Sequence, residues 1–207
     1  AGALLLAWDL IRNPGARRLP TARQLVDSFI VGGLLLGAGN GFVVFGEKTV
    51  PSGIAAILIG MMPLWFAIFG WLYLRERLPR LVLCAVLLGF AGVALPVAPT
   101  GEGANTFEPI GLFLLFLAPI GWGHGSIYSI RKAKLPPSPL TASRLQMLAG
   151  AAVTGVEALI VNEPATYDPS AITSASIIAH VYLVIFGSML AFTSYAWLLR
   201  NAPLSLV

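Results

Sequence analysis

LVDSFIVGGLLLGAGNGFVVFGEKTVPSGIAAILIGMMPLWFAIFGWLYLRERLPR, residues 25–80, contains two apolar runs, 25–46 and 51–74, parted by a short polar break at Glu47-Lys-Thr-Val-Pro51. The shorter run has 22 residues and as an α-helix reaches about 33 Å. That is enough to cross a hydrocarbon core roughly 30 Å thick. Neither run alternates polar with apolar residues, so neither reads as a strand of a membrane β-barrel. Working outward, runs of spanning length recur at 81–99, 109–130, 141–161 and 176–199, and residues 1–10 read as the end of another. Proline and glycine punctuate the breaks, as at Pro14 to Pro20, Pro99 to Gly103, Pro136 to Pro139 and Pro164 to Pro169, where turns are favoured over continued helix. The reading is an all-α polytopic membrane protein with about six complete transmembrane helices plus the end of another.

Composition excludes the alternatives. The chain is 57% hydrophobic and 11% charged, with mean hydropathy +0.83; an ordinary soluble domain carries roughly 25% charged residues. A water-soluble domain of this size cannot hide so much apolar surface. Cys84 is the single cysteine, so no intrachain disulfide forms, and His124 and His180 lie too far apart with it to suggest a metal cluster. No cofactor is expected.

The net charge of +4 is explained by its distribution rather than by nucleic acid. Alternate breaks collect Arg12, Arg17, Arg18 and Arg23, then Arg75, Arg77 and Arg80, then Arg131, Lys132, Lys134 and Arg144, and finally Arg200. The other side holds Lys48 alone, with Glu47, Glu102, Glu108, Glu163 and Asp168. Twelve basic residues against one place the basic side in the cytoplasm. Trp8, Trp71, Tyr73, Tyr128 and Trp197 fall near that side, as an interfacial aromatic belt would. Asp9 and Asp27, close to arginines at cytoplasmic helix ends, are expected at the surface, and Glu157 near the opposite interface.

A weak internal repeat lies at an offset near 150. Ala1-Gly-Ala with Asp9 matches Ala149-Gly-Ala with Glu157, and Lys48-Thr-Val-Pro51 matches Arg200-Asn-Ala-Pro203. Members of each pair face opposite sides under the charge assignment, the pattern of an inverted repeat with an odd number of helices per half. The opening run 1–8 is too short to span a bilayer, and 201–207 reads as a loop entering a further apolar segment; the chain is therefore read as a fragment.

Gly39-Asn-Gly41, Glu47-Lys-Thr-Val-Pro-Ser-Gly-Ile-Ala-Ala56, Pro63 and Leu74-Arg-Glu-Arg-Leu78 together resemble the drug/metabolite transporter superfamily, and most of all its EamA-type branch of bacterial inner-membrane exporters. Gly121-Trp-Gly-His-Gly-Ser126 and Leu199-Arg-Asn-Ala-Pro203 fit the second repeat of that family. The resemblance implies ten helices in two inverted five-helix halves, with export of small metabolites or drugs through a central cavity. On that template residues 1–99 hold the end of the first repeat, 100–108 a periplasmic linker, and 109–207 the start of the second.

Candidate site residues lie near the midplane of these spans. Gly33, Gly37 and Gly41 form a small-residue stripe that lets another helix approach, and Asn40 shares its face; its amide either bonds a neighbouring helix or lines the substrate path. Met62 and Trp65 flank Pro63, which frees a carbonyl one turn earlier. An adaptable thioether and a flat apolar ring with one donor suit a broad-specificity organic site. Pro119, Gly121, Gly123 and Gly125 surround Trp122 and His124 and make 109–130 the softest helix, a place for a gate. Asn40, Met62, Trp65, Trp122 and His124 are expected to border a cavity shared by the two halves, with Pro63, Pro119 and the three glycines as hinges. Packed or lipid-facing helix surface is the plain alternative for Met62 and Trp65, and a hydrogen-bonded structural group for His124.

Other functions fit less well. Gly-His-Gly-Ser126 suggests a serine hydrolase, but a histidine two residues from a serine on one helix points to another face, and no aspartate is placed to orient it. A channel would need a filter ring that is not visible, and a purely structural membrane subunit would not need softened midplane helices. An enzyme is the least expected.

Overall fold

A computed structural model describes residues 1–12, 20–75, 84, 87–89, 91–92 and 108–202. The 81–99 span and the 100–108 linker therefore lie almost entirely outside the described residues. All regular elements among the described residues are helical. They are α1 (Gly2–Arg12), α2 (Ala22–Gly32), α3 (Phe42–Gly46), α4 (Ser52–Ile59), α5 (Met62–Phe69), α6 (Pro109–Arg131), α7 (Pro139–Ile160), α8 (Ser174–Tyr182) and α9 (Thr193–Asn201). Three π-helical stretches, π1 (Gly33–Gly41), π2 (Gly70–Leu74) and π3 (Leu183–Phe192), continue α2, α5 and α8 without a break. Four helical stretches are long and apolar enough to cross a membrane: Ala22–Gly46, Ser52–Tyr73, Pro109–Arg131 and Ser174–Asn201. The expected 141–161 span is present as α7 but is more polar.

The chain divides into two compact units, Ala1–Gly33 with Tyr128–Val207, and Leu34–Ile127. In the first, Thr21 starts α2 with a reciprocal capping box: its Oγ1 accepts from the Gln24 N–H, and its own N–H donates to Gln24 Oε1. Ser138 and Thr173 cap α7 and α8 by accepting from the backbone N–H of Thr141 and Ser176. The buried face of α2 is Asp27, Ser28, Val31 and Gly32; that of α7 includes Ala142, Ser143, Gln146 and Ala149. Small side chains are what bring membrane helices together, since lipid offers no hydrophobic drive for their association. At Gly32 the backbones nearly touch: a Cβ there would overlap the Gln146 carbonyl oxygen and lie 2.8 Å from its carbon. Asp27 meets Lys134, Gly32 meets Gln146 and Gly33 faces Val153, so α2 and α7 run in the same direction. The stretch Ser174–Asn201 has only 6% of its apolar window buried, which suits a helix facing lipid.

The α2–π1–α3 and α8–π3–α9 stretches share one construction. Each opens after a threonine cap, passes into a π-helix of nine or ten residues, and returns to α. π1 and π3 begin 150 residues apart, the offset of the sequence repeat. Because π-helix is rare in proteins, its recurrence at this spacing is stronger support for the repeat than the short sequence matches are.

In the second unit α6 is the central helix. Gly46 packs on Gly111 and Leu115, Gly39 on Trp122, Ala38 on Gly121, and Leu34 and Leu35 on Gly125, so π1–α3 runs antiparallel to α6. Trp65 meets Phe116 and Phe69 meets Gly123 and His124, so α5 runs parallel to it. These directions agree with the alternation read from the charges. A core of Val50, Ala55, Leu58, Met61 and Leu115 fills one end of the unit.

Two local features bear on the expected hinges. The 52–74 stretch breaks at Gly60–Met61, directly before Pro63 at the start of α5, because Pro63 cannot donate to the carbonyl one turn back. By contrast α6 is one continuous helix through the buried Pro119. Its glycines seat neighbours: a Cβ on Gly121 would lie 2.9 Å from Ala38 Cβ, on Gly123 2.8 Å from the Phe69 ring, and on Gly125 3.0 Å from Leu34 Cβ.

Candidate functional site

The glycines of α6 set how closely other helices approach it, and the residues between them carry the chemistry. On α5 and its continuation π2, Trp65, Phe69 and Tyr73 recur at four-residue spacing and adjoin one another, Phe69 and Tyr73 with ring centroids 6.0 Å apart. Trp65 stacks on Phe69 with centroids 5.7 Å apart, and Phe116 from α6 meets Trp65 edge-on at 5.6 Å. His124 lies 4.1 Å from the Phe69 centroid. Its Nδ1 is 3.2 Å from the Ile120 carbonyl oxygen, and its Nε2 is 3.1 Å from Tyr73 Oη. A carbonyl cannot donate, so Nδ1 carries the hydrogen; in the neutral ring Nε2 then accepts from the Tyr73 hydroxyl. Each ring nitrogen is thereby committed, and the imidazole is held against an aromatic wall.

The sequence-based candidates distribute as follows. Asn40, Met62, Trp65, Trp122 and His124 all belong to the 34–127 unit. Trp65 and His124 belong to one aromatic group through Phe69. Trp122 lies over Gly39, the residue before Asn40, and Asn40 itself is exposed. Met62 is half-buried beside the core residue Met61. Phe69, Phe116 and the Tyr73 hydroxyl were not among the candidates; the 65–69–73 spacing signals Phe69 and Tyr73, whereas Phe116 comes from α6. Ser126 is buried and its hydroxyl donates to the Trp122 carbonyl at 2.7 Å, back-bonding to its own helix as membrane serines do.

A second locus corrects two expectations. Asp27, read as a surface residue, is fully buried. Its Oδ2 accepts from Arg23 Nε at 2.9 Å and from the Lys134 backbone N–H at 2.7 Å, and its Oδ1 accepts from Tyr128 Oη at 2.7 Å. Tyr128, read as part of the interfacial belt, is thus turned inward to the carboxylate, whereas Trp8, Trp71 and Trp197 are exposed as the belt requires. The physical reason is that a carboxylate in an apolar helix must be paired or hydrogen-bonded, and Tyr128 and the chain after α6 supply the donors. The Arg23–Asp27 spacing of four was the signal available in the sequence. From the other end, Arg200 Nη1 donates to the Pro136 carbonyl at 2.9 Å and to the Pro137 carbonyl at 3.3 Å, so the 132–138 segment is held from both α2 and α9.

Spanning helices seated on glycines, a rare helix form recurring at the repeat offset, and a polar–aromatic group inside the apolar length define a polytopic helical membrane protein of repeat construction. Residues 1–97 match the EamA-like transporter family. The chain is 34% identical over 204 residues to "Uncharacterized inner membrane transporter YedA" of Escherichia coli K12, an alignment covering 97% of this chain and 62% of that protein. It is 26% identical over 190 residues to "Protein PecM" of Dickeya dadantii, covering 90% of this chain and 61% of that one. "Uncharacterized transporter YvbV" of Bacillus subtilis matches 42% of the chain at 28% identity. A crystal structure superposes with a TM-score of 0.67 at 22% identity, covering 99% of this chain and 68% of that one, and so shares the fold. The chain thus carries an EamA-type match over residues 1–97 and is similar along nearly its whole length to transporters so named, and it spans about three fifths of the length of the first two of these relatives.

Proposed function

We propose that the protein of which this chain forms part is a carrier of the bacterial inner membrane that exports small organic metabolites or drugs by alternating access, with its substrate path along Asn40, Met62, Trp65, Trp122 and His124. The observation that carries the reading is the group on α5 and α6, where aromatic rings surround a histidine with both nitrogens committed. Such a wall offers flat apolar contact and a few fixed dipoles, which suits organic solutes more than inorganic ions. Transport names in the family and among the relatives support the class. Pro63, at the break before α5, and Pro119 with Gly121, Gly123 and Gly125 on α6 are the places where small backbone changes would alter the path. An intramembrane hydrolase fits poorly, because the Ser126 hydroxyl is spent on its own helix and His124 faces Tyr73.

The test is substrate efflux in cells expressing the full-length protein. Trp65→Ala and Trp122→Ala should weaken efflux or shift the tolerated substrates while membrane abundance stays unchanged. Leu87→Ala, at an exposed apolar position, is the control. Equal loss in all three, in step with lower abundance, would mean that the tryptophans only pack.

A further inference from the structure

The segment leaving α6 carries Arg131, Lys132 and Lys134 within four residues, and all three side chains are exposed. Among the described residues none of the three pairs with a carboxylate; the ion pair of this region is Arg23–Asp27. Three like charges this close repel one another, and a free loop would spread them apart. Here the backbone beneath them is fixed. The Lys134 N–H is bonded to the buried Asp27, Tyr128 one turn before Arg131 is bonded to the same carboxylate, and the Pro136 and Pro137 carbonyls accept from Arg200. Arg131 ends a helix long and apolar enough to cross a membrane, and the neighbouring Ile130 is an exposed apolar side chain. The cations therefore sit at headgroup depth with acyl-facing surface beside them.

We propose that Arg131, Lys132 and Lys134 form a docking site for the headgroup of an anionic phospholipid, held in place by Asp27 and Arg200. Charge complementarity selects the occupant: a phosphodiester bound to the bilayer places its negative charge at this depth, and its chains cover Ile130. Asp27 acts here as a positioning residue. Its own charge is spent on Arg23, Tyr128 and the Lys134 amide, so it fixes the segment without neutralising the three exposed cations. The remaining charged groups on α2, α7 and α9 are Arg23, Arg144 and Arg200, all basic, and Glu157, which lies at the far end of α7, thirteen residues beyond Arg144. At this end of the helices the local field thus favours an anion.

Each Lys or Arg near an anionic membrane surface contributes about a fivefold preference, so three together give up to about a hundredfold. The experiment is native mass spectrometry of the full-length protein in detergent with equal amounts of phosphatidylglycerol and phosphatidylcholine. The wild type should retain phosphatidylglycerol at least about tenfold over phosphatidylcholine. The triple variant Arg131→Ala, Lys132→Ala, Lys134→Ala, which touches no buried side chain, should fall to near parity, and Lys48→Ala should keep the preference. Asp27→Asn should lower the preference with all three charges present; an unchanged value would remove its positioning role. Equal retention of both lipids by the wild type, or an undiminished preference in the triple variant, would overturn the proposal. Displacement of the lipid by inorganic phosphate at millimolar concentration would also overturn it, since the site would then hold a free anion and not a lipid.

Discussion

Removing the Asp27 carboxylate or its Tyr128 partner tests whether the buried polar tie holds the unit of α1, α2, α7, α8 and α9 together. Tyr128 Oη donates to Asp27 Oδ1 at 2.7 Å and the Lys134 amide to Oδ2 at the same distance. Hydrogen bonds to a charged group contribute about 1.5–3 kcal/mol each. Tyr128→Phe removes one and should cost about that much. Asp27→Ala removes three, but Arg23, whose side chain is 59% exposed, returns to water, so two bonds count, together about 3–6 kcal/mol. The orphaned Lys134 amide adds to this if water does not reach it. Both substitutions delete the Tyr128–Asp27 bond, so the double variant should be little worse than Asp27→Ala alone, with a coupling energy of about 1.5–3 kcal/mol. Reversible unfolding of the full-length protein in mixed micelles measures all four species. A cost below about 0.5 kcal/mol for Tyr128→Phe, or a coupling near zero, would refute the argument that this carboxylate is a structural keystone.

Gly32→Ala should destabilise the protein by about 3 kcal/mol, the upper end for overpacking, because the new Cβ meets the backbone of Gln146. Gly33→Ala, whose Cβ would lie an ordinary 3.5 Å from Val153 Cγ2, should be neutral or slightly stabilising; the same unfolding measurement reads both, and equal effects would show that the close approach is not rigid. Cysteines placed at Lys134 and Asn105 in a Cys84→Ser background should differ in reaction with an impermeant thiol reagent added outside the cell. Position 105 should label and 134 should not, and the opposite pattern would reverse the assigned topology.

Much of the architecture was legible from one-dimensional facts. Length, hydropathy and the placing of prolines gave spans that coincide with Ala22–Gly46, Ser52–Tyr73, Pro109–Arg131 and Ser174–Asn201 to within a few residues. A membrane imposes this legibility, because every backbone polar group in lipid must be bonded within its own helix and the apolar run must match the core thickness. Charge counts in the breaks ordered the helix directions, and those directions reappear in the pairing of Asp27 with Lys134 and of Gly46 with Gly111. Composition cannot say which neighbour a residue faces. Glycines 121, 123 and 125 read as flexibility, and nothing in the sequence marks them as seats for Ala38, Phe69 and Leu34; Asp27 and Tyr128 read as surface groups and proved to be bonded to each other, a hundred residues apart. Only packing decided these contacts, because which neighbour a glycine admits depends on what other helix lies within 4 Å of it. In the same way a carboxylate near a helix end is solvated or buried according to whether donors from elsewhere in the chain reach it.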